Sequence, residues 1–205
     1  MRGYLFANKL YYDVNAYYFS LNNSIVQRRD AAGGDYYLNS GGTKQLGTET
    51  YLRYELLKKG SNNFGSLAVW ASYTYQHFRY KNFKQLDNDF SGNALPGVAP
   101  STFTCGLDLE TSIGIYGNVN YYYSNAFALN DANTDINKGY SLLGFKAGYS
   151  FILRTKSPIN IFVGGDNLLD EKYSSGPDIN AFGGRYYNAS TGRNFYAGIS
   201  LGYNR

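Results

Sequence analysis

Residues 142–153 read LLGFKAGYSFIL, and the two-residue alternation in this stretch decides the fold. Its odd positions are Leu143, Phe145, Ala147, Tyr149, Phe151 and Leu153; its even positions include Gly144, Lys146, Gly148 and Ser150. Successive side chains of a strand point to opposite faces, so one face here is apolar and the other small and polar. Working outward, the same period recurs. Leu10, Tyr12, Val14, Ala16 and Tyr18 alternate with Lys9, Tyr11, Asp13, Asn15 and Tyr17. Leu52, Tyr54 and Leu56 follow Thr48 and Thr50 on one parity, with Glu49, Tyr51, Arg53 and Glu55 on the other. Leu67, Val69, Ala71, Tyr73 and Tyr75 form a third apolar set, and Phe103, Cys105, Leu107 and Leu109 a fourth. The last is Phe195, Ala197, Ile199, Leu201 and Tyr203.

Turn residues cut this pattern into about eight full strands, at 9–29, 36–58, 64–82, 101–112, 114–128, 138–154, 158–167 and 193–203, with 1–6 as a remnant. The connections alternate in length. Short ones fall at Ala7-Asn8, Lys59 to Asn63, Ser112 to Gly114 and Thr155 to Ser157. Long ones cover Asp30 to Asp35, Phe83 to Pro100, Leu129 to Asn137 and Leu168 to Gly192. Long loops at one end and tight turns at the other are the asymmetry of outer-membrane barrels, and the parity puts the C-terminus on the short-turn side.

Composition points the same way. The chain holds 23 Tyr, 13 Phe and 24 Gly, yet its mean hydropathy is -0.41, which suits a sheet whose faces meet different solvents. Charged residues make up 17%, below the roughly 25% usual in soluble domains. The net charge of +4 is dispersed, whereas a nucleic-acid surface needs a concentrated basic face. No run approaches the ~20 apolar residues of a membrane helix, so a membrane crossing has to use strands. A soluble antiparallel barrel or sandwich shows the same alternation. Against it stand the long strands, a polar face of Gly, Ser, Thr, Asn and Tyr instead of Lys and Glu, and aromatic clusters near strand ends, such as Tyr121-Tyr122-Tyr123.

Catalytic and metal chemistry find little purchase. One Cys (Cys105) and one His (His77) exclude an internal disulfide and a Cys/His metal cluster. His77 shares its parity with Tyr73 and Tyr75, on the apolar face. Asp108 and Glu110 share the polar face, where a watery interior calls for polar groups anyway. Cys105 sits between Phe103 and Leu107 as a small hydrophobe. The chain is expected to be no enzyme and to carry no cofactor.

The C-terminal text INIFVGGDNLLDEKYSSGPDINAFGGRYYNASTGRNFYAGISLGY, Ile159 to Tyr203, carries a family resemblance. Asn167-Leu168-Leu169-Asp170 with Tyr173, a long loop, and Gly192-Arg193 opening the last strand resemble the end of TonB-dependent receptors. Ser24-Ile25-Val26, Asn39 to Gly41, Gly47 with Glu49, and Pro96 to Pro100 resemble the family too. Asn167 and Asp170 are suited to bond backbone where pairing stops, Leu168 and Leu169 to stay buried, and Gly192 to turn the chain at positive φ. Gly198, Leu201 and Tyr203 resemble the C-terminal signal of the barrel assembly machinery, although Asn204-Arg205 follow the aromatic.

The resemblance implies an all-β fold: an antiparallel transmembrane β-barrel wall, part of a larger barrel of about 22 strands around an N-terminal plug. It implies TonB-dependent uptake of a scarce nutrient, by default a ferric siderophore, in the bacterial outer membrane. The partners are then outer-membrane lipid, the plug and the TonB complex, with no nucleic acid. The opening MRGYLFANKLYYDVN has no signal-peptide pattern, so residues 1–205 are expected to be a partial barrel domain, without plug and signal peptide. The alternative is a complete eight-stranded barrel, structural, adhesive or lipid-modifying. Its tightly filled interior contrasts with glycine-rich rows such as Gly144 and Gly148, which would leave voids there and suit a wall packed by a plug. In the last loop, roughly 25 residues long, Arg185, Tyr186 and Tyr187 are the candidate ligand-binding residues, since aromatics flanking a guanidinium suit a planar anionic chelate.

The loop asymmetry generates a topological prediction. A cysteine placed at Ser175 should react with an impermeant reagent on intact cells, and one at Lys156 should not. Labelling at Lys156 alone would invert the orientation.

Overall fold

Alternating sequence becomes a single antiparallel meander. The computed structural model describes residues 1–29, 32, 34–39, 41–58, 60, 65–85, 87–152 and 157–202, the side chains of 26–29 excepted. In chain order its strands are β1 (Arg2–Leu5), β2 (Leu10–Asn22), β3 (Ile25–Arg29), β4 (Asp35–Asn39), β5 (Gly42–Leu57), β6 (Gly65–Asn82), β7 (Lys84–Gln85) and β8 (Asn88–Asp89). There follow β9 (Ser101–Thr111), β10 (Ile115–Ser124), β11 (Phe127–Ala128), β12 (Ile136–Asn137), β13 (Tyr140–Ile152), β14 (Pro158–Asp166) and β15 (Asn194–Leu201). Nine of them form one sheet in the order β1-β2-β5-β6-β9-β10-β13-β14-β15. Every neighbouring pair is antiparallel. Among the described residues no helix is long and apolar enough to cross a membrane.

The remnant at 1–6 is therefore a ladder strand in its own right, β1, paired with β2 from Arg2↔Asp13 to Leu5↔Leu10. The sheet is open: β1 and β15 are its two ends. Among the described residues the chain forms an open nine-stranded sheet and not a closed eight-stranded barrel.

The long strands anticipated at 9–29 and 36–58 each break in two. Asn23 takes φ 58° and Gly41 takes φ 71°, so the chain turns on both strands at the same level. The β2–β5 ladder stops at Asn22↔Gly42, and pairing resumes as a separate hairpin, β3 with β4. The Asn39 carboxamide accepts from the Gly41 N–H at 2.8 Å, which fixes the break. The span 114–128 divides likewise into β10 and β11. The first three long connections thus carry hairpins of their own, β3–β4, β7–β8 and β11–β12. The short β9–β10 turn closes through Gly114 at φ 94°, whose N–H donates to the Thr111 carbonyl. The expected turns at 59–63 and 155–157, and Lys156 and Tyr203, lie wholly or partly outside the described residues.

Register fixes the faces. One row crosses the wall as Leu10, Tyr54, Val69, Leu107, Val119 and Phe145, each opposite the next. A second runs Ile115, Tyr149, Ile161, Ile199. These side chains stand largely uncovered, Val119 at 46% and Ile199 at 68% exposure. Leu201 pairs with Ile159 beside the tight-turn end, so it lies at the margin of the apolar band.

The opposite face holds Glu55, Ala68, Asp108, Asn118, Lys146, Gly164 and Tyr196 in one row. Its glycines do not leave voids. Tyr17 faces Gly47, Trp70 faces Gly106, Tyr116 faces Gly148, Tyr196 faces Gly164 and Phe162 faces Gly198. In each pair the ring lies over the glycine, where a Cβ would collide with it. The wall therefore covers its own glycine gaps, which the sequence reading had assigned to a separate plug. Cross-strand aromatic rescue of glycine also pins register.

Two predictions follow from this placement. In a barrel carrying this wall, Val119→Arg should cost roughly 2–4 kcal/mol of bilayer unfolding free energy and Asn120→Arg far less; equal costs would refute the facing. Gly148→Val should destabilise by about 1–3 kcal/mol through overpacking against Tyr116. Adding Tyr116→Ala should recover part of that loss, whereas strictly additive effects would show that the ring and the glycine do not interact.

Candidate functional site

The described residues with the least exposure gather mainly at the long-connection end of the wall. Tyr80, Phe83, Ala128, Leu129, Tyr186, Asp131, Asn137, Asn167 and Ser174 are all buried. They belong to the end of β6 and to the connections 83–100, 125–139 and 167–193. Phe83 packs between Tyr80 and Phe90, with ring centroids 4.8 and 5.5 Å away.

Polar groups lock the three connections together. The Tyr80 hydroxyl donates to the Asp131 carboxylate at 2.6 Å, and Asn180 from the last loop donates to the same oxygen at 3.3 Å. The Asp131 N–H donates back to Asn180 Oδ1, and Asn93 donates to the Asp131 carbonyl. Asn133 binds both backbone groups of Ala94, at 2.8 and 2.9 Å. Backbone bonds from Gly97 to Ala128 and from Asn180 to Leu129 complete the joint. Side-chain amides here act as substitute strands, supplying partners that loop backbone would otherwise lack. Asn137 Nδ2 is a buried donor without an acceptor among the described residues. At the exposed β7–β8 hairpin, hydrogen bonds from Ser91 hold the Asp89 carboxyl below its usual range.

Asn167 and Asp170 close the base of the last loop. Both take positive φ, 49° and 56°. Asn167 donates to the carbonyls of Glu171 and Thr191 and accepts from the Glu171 N–H. Asp170 accepts from the Arg193 N–H at 3.0 Å. The sequence reading of these two as backbone binders holds, with two corrections. Leu168 is half-buried and Leu169 is 49% exposed, so the leucines are not both interior. Gly192 is not at positive φ; it sits against Asp170 Oδ1, and the Asn and Asp make the turn instead. Tyr173 stacks on Tyr140 at 4.8 Å, and Tyr140 lies 5.9 Å from Tyr122, which seats the loop on the polar face of the wall.

The predicted ligand residues separate. Tyr186 is 8% exposed, and its hydroxyl donates to Asp135 at 3.3 Å beside Asn130. It is a strut of the loop core. Tyr187 is 58% exposed and its hydroxyl donates to the Ile136 carbonyl. Arg185 is exposed and directly follows the 3-10 turn Phe182–Gly184. Arg185 and Tyr187 thus stand on the surface of a block that Tyr186 helps to hold.

Lower on the polar face lies a second cluster that the sequence reading missed. Arg53 donates to Asp108 at 2.7 Å and to Glu55 at 3.0 Å. Tyr4, Tyr11, Tyr51 and Trp70 form a ring ladder across β1, β2, β5 and β6, with successive centroids 5.1, 6.1 and 6.4 Å apart. The alternation that puts Tyr11, Tyr51, Arg53 and Trp70 each on the polar parity of its own strand was the available signal. Asp108 is paired to Arg53, which leaves it the part of a wall anchor. His77 lies on the apolar face opposite Leu46, as its parity indicated, and accepts from Arg79 Nε at 3.0 Å.

Known proteins place this architecture. The family described as TonB dependent receptor-like, beta-barrel matches residues 1–168. The siderophore receptor PiuA from Acinetobacter baumannii superposes with a TM-score of 0.72 at 18% identity, over 98% of this chain and 27% of its own. The ferric citrate transporter FecA gives 0.73 at 22%, over 95% of this chain and 29% of its own. The copper transporter OprC gives 0.67 at 18%, over 94% and 29%. The chain thus spans little more than a quarter of the length of these structures, and at such identities the likeness is one of fold. The match over residues 1–168, on a nine-stranded open wall, shows that the chain belongs to the family of TonB-dependent receptor β-barrels.

Proposed function

We propose that this wall belongs to an outer-membrane receptor that imports a scarce nutrient through TonB, with a ferric siderophore as the ligand class. The observation that carries the reading is the family match over residues 1–168. Its structural counterpart is a sheet with one uncovered apolar face. An exposed face carrying Val119, Ile161, Ile199 and Leu201 is an aggregation surface in water and an ordinary outer surface in lipid. The ligand class comes from the neighbours, among them a siderophore receptor and a ferric citrate transporter, and the copper transporter among them keeps a metal cargo of another kind as the second reading. The partners are outer-membrane lipid, a plug domain, the TonB complex and the barrel assembly machinery.

Capture is assigned to the interlocked loops. Arg185 and Tyr187 would meet an anionic aromatic chelate, while Tyr186 keeps them in place from within. A loop block cross-linked through Asp131 presents these groups with little ordering cost on binding.

The test uses the receptor that carries this wall, as the sole iron route of its host. Deleting it should abolish uptake of one class of radiolabelled ferric siderophore, and loss of copper uptake alone would favour the second reading. Arg185→Gln should weaken binding of that siderophore about tenfold or more, as loss of a charge-assisted contact does, with surface levels unchanged. Unaltered affinity would leave the loop a structural cover.

A further inference from the structure

Among the described residues the apolar face of the wall carries charge in one place only. Along the paired strands its side chains are Leu, Val, Ile, Ala, Phe, Tyr, Thr and Ser with an occasional Gly, together with Asn22, His77 and Cys105, and among the described residues it holds no Asp and no Glu. The exceptions lie at the loop end of β5 and β6. Lys44 and Arg79 are directly opposite each other in the ladder, and both are exposed. Lys81 follows two residues on, exposed, where the register shifts between Gly42 and Thr43.

Like charges directly opposite on adjacent strands repel, with Cβ atoms about 5 Å apart. No carboxylate on this face offsets the repulsion. The guanidinium is nonetheless held in place: Arg79 Nε donates to His77 and Nη1 donates to the Gly92 carbonyl at 2.7 Å. A bulge beside the pair re-aims the backbone at Lys81. Three exposed cations so grouped, on a face without carboxylates among the described residues, have the charge to meet an anion.

The surroundings identify that anion's carrier. Immediately below, on the same face, Tyr18, Leu46 and Tyr75 are 58, 46 and 38% exposed. Tyr73, Phe103 and Tyr123 form the next aromatic row, each opposite its neighbour. Aromatics on an outward face mark the level where lipid headgroups begin. Cations a residue or two beyond that level meet headgroup phosphates, while the tyrosines meet the chains beneath. A free phosphate ion would use the cations alone; an anionic lipid uses both.

We propose that Lys44, Arg79 and Lys81 bind the phosphate groups of an anionic lipid in the leaflet on the loop side of the membrane. This rests on the outer-membrane reading above. The probe is lipid A, a bisphosphorylated glycolipid, titrated onto the detergent-solubilised receptor that carries this wall. Controls are the dephosphorylated lipid and inorganic phosphate, and folding is verified by heat modifiability. Lipid A should bind with an affinity that falls as salt rises. The Lys44→Gln, Arg79→Gln, Lys81→Gln triple variant should bind it at least about tenfold more weakly, each cation contributing roughly a fivefold factor. Lys81→Gln alone tests the site where the triple variant does not fold, and Lys146→Gln on the polar face should bind as wild type. Full affinity in a folded triple or Lys81→Gln variant overturns the proposal, as does equal affinity for inorganic phosphate or for the dephosphorylated lipid. A receptor that stays in the aqueous phase on detergent partitioning overturns the membrane reading itself.

Discussion

The unbroken antiparallel ladder from β1 to β15 is the constraint on which the rest depends. With a period of two, one residue of slip in any pair would exchange that strand's faces. Val119 would then meet the polar side and Asn118 the apolar side. The register is pinned by the glycine–aromatic pairs, because only one alignment brings Tyr116 over Gly148 and Phe162 over Gly198. Shape on the polar face therefore protects chemistry on the other.

Among the described residues no second layer packs on the wall, and the tightest packing lies elsewhere. It is found where the long connections meet. There the chain uses Asp131, Asn133 and Asn180 as cross-braces between segments far apart in sequence. Apolar filling is confined to a few groups such as Phe83 and Leu129. Amide and carboxylate bracing gives orientation more than bulk stability, because each bond replaces one to water and nets about 1 kcal/mol. The loops are consequently defined in shape while remaining polar at the surface.

Much of this was legible in the sequence. The faces of β6, β9, β13 and β15 follow from alternation, since each has a clearly apolar set on one parity. The loop asymmetry was legible as well, and so was the backbone-binding role of Asn167 and Asp170. The breaks after Asn22 and before Gly42 were not read, because alternation continues through Ile25 and Tyr37 into a hairpin with the same period. Asn23, Ser24 and the pair Gly41-Gly42 were the turn chemistry that marked them. Tyr186 read as a ligand aromatic because it flanks the Arg185 guanidinium in a long loop; its burial depends on Asp135 and Asn130, contacts across some fifty residues. The cationic pair Lys44 and Arg79 was invisible until register set them opposite each other.

The four residues of β1 have a consequence for how a barrel can be completed. Without them the meander has eight strands and its ends run in opposite directions, so it could in principle join itself. With β1 the ends β1 and β15 run the same way, and joining them would require a parallel seam in an otherwise antiparallel wall. Any complement that seals this sheet with antiparallel seams must therefore contribute an odd number of strands. Arg2 to Leu5 thus act as a parity bit for assembly: they disfavour self-closure and leave both edges matched to a partner of odd strand count.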